Sequence, residues 1–158
     1  MTMNVKSNLT IAALAACFVL IPAVASALPA LEEWNNVARL ALPTYVKIWL
    51  GMMLLTNIAA LAFVKKHVAA RWVFVGFAIS HAIGMFFWSK NIPVLAGQIS
   101  LLHVVFWAPG AIMLLRRRAE IKIPTAYGIW ACLSLFFYVG SMLVDIPAGL
   151  TAIKHMFG

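Results

Sequence analysis

The feature that most constrains this chain is a series of apolar runs, each close to the length that crosses a bilayer and fenced by cations. The runs cover about 43–64, 70–88, 93–115 and 124–144. A helix needs roughly 20 apolar residues to span about 30 Å of hydrocarbon. Backbone in hydrocarbon must satisfy its own hydrogen bonds, so such runs read as helices. The expected fold is therefore all-α: a transmembrane four-helix bundle forming a single domain over 28–158.

Composition agrees. The chain is 65% hydrophobic and 10% charged, whereas soluble domains run near half apolar and about a quarter charged. A formal net charge of +8 would suit nucleic acid if it formed a surface stripe. Here the cations sit at the ends of apolar runs, so the expected partner is the lipid bilayer and not nucleic acid.

Residues 1–27 read as an N-terminal signal sequence. Lys6 provides the positive start, Leu9 to Val24 is apolar, and Ala25-Ser26-Ala27 is a small-x-small cleavage pattern. An uncleaved first helix is the second reading. Lipoprotein processing at Cys17 is the third, because the apolar run continues past that cysteine. Pro29 to Leu42 is mixed in character. Leu31, Trp34, Ala38, Ala41 and Leu42 fall near one helical face, which predicts a short amphipathic helix on the outer membrane surface. A solvated linker is the alternative.

Lys65, Lys66 and Arg71 follow the first run, and Arg116, Arg117, Arg118 and Lys122 follow the third. By the positive-inside rule the loops at 65–71 and 116–122 are cytoplasmic, and both mature termini lie outside. A bacterial-type inner (plasma) membrane, crossed several times, is the expected location.

Two histidines supply the one suggestion of function. His81 and His103 lie near the middle of consecutive antiparallel spans, each roughly 15 Å from an end. Ionisable groups at that depth are costly, which makes them candidates for function. Packing against Ser80, Ser100 or Asn57 is the first reading. A b-type haem gripped by both imidazoles is the second, and a proton relay is the third. A short turn keeps the two helices adjacent, so a ring held between them would have to splay them. No carboxylate is expected at that depth, so no metal site is predicted. An intramembrane acid for proton-driven export is likewise not expected.

Polar residues on the other helices read mainly as interhelical bonding. Tyr127, Ser134, Tyr138, Ser141 and Asp145 share one face of the last run. A polar track inward from Asp145 is the sharper alternative. Asn57 is expected to bond across to a neighbour. Lys47 and Asp145, both placed near the outer boundary, are candidates for an ion pair. Gly76, Ser80 and Gly84 recur every four residues, a spacing that lets helices approach closely. Pro109-Gly110 predicts a kink near Trp107. Asp145-Ile146-Pro147, just past the last span, predicts a kink or a fresh N-cap, with Ala148 to Gly158 continuing as a short helix at the outer interface.

Phosphate-binding loops, HExxH and nucleophile elbows are missing, and neither Cys17 nor Cys132 has a CxxC partner. This favours a non-catalytic accessory subunit of a larger membrane complex or a homo-oligomer. A bis-histidine haem electron carrier and a small transporter or channel subunit are the alternatives.

Overall fold

The computed structural model describes residues 29–158. The signal segment expected at 1–27, with Cys17, lies outside the described residues. Among those described, the chain is an all-α bundle with no strand, and a single isolated β-bridge joins Glu33 to Leu95.

A short helix α1, Asn36–Ala41, precedes four long ones: α2 Thr44–Ala59, α3 Val68–Ser89, α4 Ala96–Arg116 and α5 Ala126–Phe157. A 3-10 turn, Ala60–Ala62, extends α2. All four are long and apolar enough to cross a membrane, α2 when counted with its turn. The chain is a multi-pass membrane protein. Its apolar side chains face outward over much of the surface, as lipid-facing helices require; Leu55, Val105, Val139 and Leu143 are examples.

Local signals explain the helix ends. Asn35 caps α1 by accepting from the Ala38 N–H, and Thr125 caps α5 by accepting from Gly128. The α3–α4 turn begins with a Schellman closure. The Ile92 N–H donates to Phe87 O and the Asn91 N–H to Trp88 O, with Asn91 at φ 51°.

Two expectations are corrected here. No fresh N-cap forms at Asp145. α5 runs unbroken for 32 residues, about 48 Å at the helical rise, so Asp145 lies inside it. A proline removes one N–H from the helix without forbidding it to continue, and Thr151 Oγ1 donates back to Pro147 O at 2.9 Å. The second concerns Pro29–Leu42, which is not one amphipathic surface helix. Its first half is an extended clasp on α4. Trp34 N donates to Val94 O, while Ala96 N and Gly97 N donate to Glu32 O and Ala30 O. Those last two bonds satisfy N–H groups that the start of a helix leaves free, so the clasp and α4 complete each other.

Close crossings set the helix register. At Gly76 a Cβ would collide with the backbone carbonyl of Phe106, and at Gly110 it would lie 3.1 Å from the Val73 Cα. α3 and α4 therefore touch backbone to backbone on the side nearer the basic loops. α4 and α5 close up at the opposite end, where Gly97 meets Ala148 O and Gly149 meets Leu101. α2 is the loosest member. It rests on α5, and against α3 it packs mainly through its terminal 3-10 turn near the basic end. The core follows this arrangement: Val73, Trp107, Leu114, Ala131, Phe137 and Tyr138 are buried in one cluster, which Met53 of α2 joins.

Candidate functional site

Because α2 meets α3 mainly at one end, a cavity of about 970 Å³ opens between them toward the other. Trp49, Leu50 and Met53 of α2 form one wall, and Phe77, His81 and Trp88 of α3 another. α4 contributes Ser100, His103 and Trp107, and α5 contributes Ser141 and Asp145. Gly51 on α2 and Gly84 on α3 both line it, and a Cβ at either would meet nothing within 4 Å. Met85 and Trp88, on the same stretch of α3, are 55% and 50% exposed. Among the described residues nothing seals the cavity between α2 and α3. Residues of the clasp and α1 lie at its mouth; there the Arg39 guanidinium sits 5.5 Å from the centre of the Trp88 ring, within cation–π range.

A buried polar network forms the α4–α5 side. Ser100 Oγ donates to Asp145 Oδ1 at 2.8 Å, and His103 Nδ1 lies 3.3 Å from Asp145 Oδ2. Asp145 is only 8% exposed. An ionised carboxylate has acceptors alone, and opposite it His103 would carry its hydrogen on Nδ1. The imidazole ring then stacks on Trp107, centroids 4.0 Å apart. Trp107 is held in turn by Nε1 donating to Ser80 Oγ at 2.8 Å. His81 is fixed the same way: Nδ1 is 3.1 Å from Phe77 O, an acceptor, and must be the protonated nitrogen. In both histidines Nε2 has no bonding partner among the described residues and is left as an acceptor.

The network corrects two sequence expectations. A carboxylate does lie at histidine depth, because α5 continues past Pro147 and carries Asp145 alongside α4. The Lys47–Asp145 ion pair is not formed. Lys47 Nζ donates to Leu40 O at 2.7 Å, closing the end of α1, while both Asp145 oxygens face Ser100 and His103. Helix α4 occupies the side of α5 from which Asp145 is bonded.

His81 and His103 are brought to one cavity, within about a turn of each other in the register set by Gly76 and Gly110. They stand on directly packed helices and so share one wall. A porphyrin ligated on both faces needs an imidazole on each side of the ring. Among the described residues no three His, Cys, Asp or Glu side chains converge on a metal-sized site. Ser100 bonds the carboxylate and not His103 Nε2, so the trio lacks the connectivity of a nucleophile triad.

The polar face expected on α5 divides into separate pieces. Tyr138 Oη donates to Asn57 Oδ1 at 2.7 Å, joining α5 to α2 in the core, and Ser141 Oγ is 3.4 Å from Met53 Sδ. Ser134 Oγ and Tyr127 Oη are buried without a partner among the described residues. Tyr127 stacks on His67 near the basic end, and His67 Nδ1 lies 3.0 Å from Glu120 Oε2. Only Ser141 and Asp145 of this face reach the cavity. Sequence reasoning missed Ser100 as a partner of Asp145. The signal was there: Ser100 and His103 are three apart, hence on one helical face. No protein-family model, curated protein or solved structure matches this chain.

Proposed function

We propose that this membrane protein binds an amphipathic molecule drawn from the bilayer, in the cavity between α2 and α3. The observation that carries the reading is the Ser100–Asp145–His103 network beside a cavity with mainly apolar walls. A buried carboxylate in a spanning helix is costly and is kept where it has a task. Binding sites of 300–1,000 Å³ with apolar walls and a few placed polar groups are the usual form for small ligands. The accessory-subunit reading drew on missing catalytic motifs, and binding of a small molecule requires none of them. Transport along α5 finds less support, because the polar side chains of that helix bond in separate groups.

We place the basic loops 65–71 and 116–122 on the cytoplasmic side of a bacterial-type plasma membrane, following the positive-inside rule. The cavity then faces the outer leaflet.

Tryptophan fluorescence tests the reading, since Trp49, Trp88 and Trp107 line the cavity. A brominated fatty-acid methyl ester, titrated into the protein in nanodiscs, should quench saturably. Gly84→Leu and Gly51→Leu, which fill the cavity, should weaken that quenching severalfold. Quenching that is linear and the same in all three proteins would refute it.

A further inference from the structure

The chemistry of the two histidines narrows the ligand. This step rests on the cavity reading above. Each Nδ1 hydrogen is engaged, by Asp145 in His103 and by Phe77 O in His81. Each ring therefore offers its Nε2 lone pair and no donor. A head group satisfied here must donate a hydrogen bond. An imidazole acceptor favours an acidic O–H over an alkyl alcohol, because hydrogen bonds strengthen as they gain charge character.

The surroundings favour a flat ring. Trp107 is stacked on His103, Phe77 lies against His81 with ring centres 4.1 Å apart, and Trp49 forms the opposite wall. The opening between α2 and α3, beside Gly51 and Gly84, gives an attached alkyl chain a way out to lipid.

We infer that the ligand is a lipophilic phenol of the hydroquinone type. Its ring lies in the cavity, one hydroxyl donates to Nε2 of His103, and its tail leaves between α2 and α3. His81, on the adjacent helix, is the acceptor for a second hydroxyl. A consequence follows directly from the hydrogen count. The oxidised quinone has carbonyl oxygens alone and cannot satisfy two acceptors, so the site discriminates in favour of the reduced form.

The test is competition against the brominated ester under anaerobic conditions, using the full chain in nanodiscs. The competitors are a decyl-substituted benzohydroquinone and its quinone. Loss of one such hydrogen bond corresponds to about tenfold in affinity. The hydroquinone should displace the ester at about one-tenth the quinone concentration or less. His103→Phe keeps a ring on Trp107 and removes Nε2, and should lower the ratio severalfold, since His81 still accepts. His81→Phe should reduce it in part. A quinone that competes as well as or better than the hydroquinone overturns the inference, as does a ratio unchanged in His103→Phe. If the ester binds saturably and neither competitor displaces it, the phenol assignment fails and the cavity reading stands. If the ester itself does not bind saturably, both fail.

Discussion

Adding the same single methyl group at two glycines of one helix should have opposite effects. At Gly76 a Cβ meets the Phe106 carbonyl oxygen, and the carbonyl carbon lies 3.0 Å away. Both are backbone atoms of a helix and cannot rotate aside, so in Gly76→Ala α3 and α4 must part by on the order of 1 Å. Overpacking of this kind costs about 1–3 kcal/mol. Separation also loosens the Trp107–Ser80 hydrogen bond at 2.8 Å, worth about 1 kcal/mol. Better helix propensity returns up to about 1 kcal/mol, leaving Gly76→Ala destabilised by about 1–3 kcal/mol. At Gly84 a Cβ meets nothing within 4 Å. Only the propensity gain remains, so Gly84→Ala should be stabilised by about 0.5–1 kcal/mol. The assay is reversible unfolding in mixed SDS micelles followed by circular dichroism. Gly84→Ala equal to or less stable than Gly76→Ala would refute the asymmetric α3–α4 packing, and with it the argument for an open cavity.

Other outcomes follow from the same contacts. Tyr138→Phe should cost about 1 kcal/mol, the scale of hydrogen bonds between spanning helices, and much less in an Asn57→Leu background, since its partner is Asn57 Oδ1. In double-mutant cycles Lys47→Met and Asp145→Asn should be additive within about 0.5 kcal/mol, because Lys47 bonds Leu40 O. Asp145→Asn and His103→Phe should show a coupling above that level; the reverse pattern would restore the Lys47–Asp145 pair. Glu120→Gln should change stability by less than about 1 kcal/mol, since its partners His67 and Arg117 are partly exposed. An alkaline phosphatase fused after Gly158 should be active, and one inserted at Lys66 inactive; reversed activities would invert the assigned orientation.

What the chain reveals unaided is what short-range physics decides. A run of apolar residues long enough for a bilayer must be helical, because lipid offers its backbone no partners. The number of long helices, the clustering of Lys and Arg at one end and the approximate span limits all follow from that. Gly76 was likewise legible as a packing residue, since small side chains at four-residue spacing mark a close helix face. The same spacing included Gly84, where an added Cβ meets nothing within 4 Å among the described residues. Whether a small residue meets a neighbour or an opening depends on where the second helix diverges.

Only the tertiary structure decided the site. Asp145 looked like a boundary residue because Pro147 follows it, yet proline lowers helix stability without dictating a stop, and packing on α4 carries α5 onward. Its partner was equally undetermined. Lys47 was the partner expected by depth, and the pairing fell to His103 because Gly97 and Gly149 bring α4 and α5 together on that side. Pairing between spanning helices is set by which faces touch and in what register. That information is shared among several helices, so no single stretch of sequence contains it.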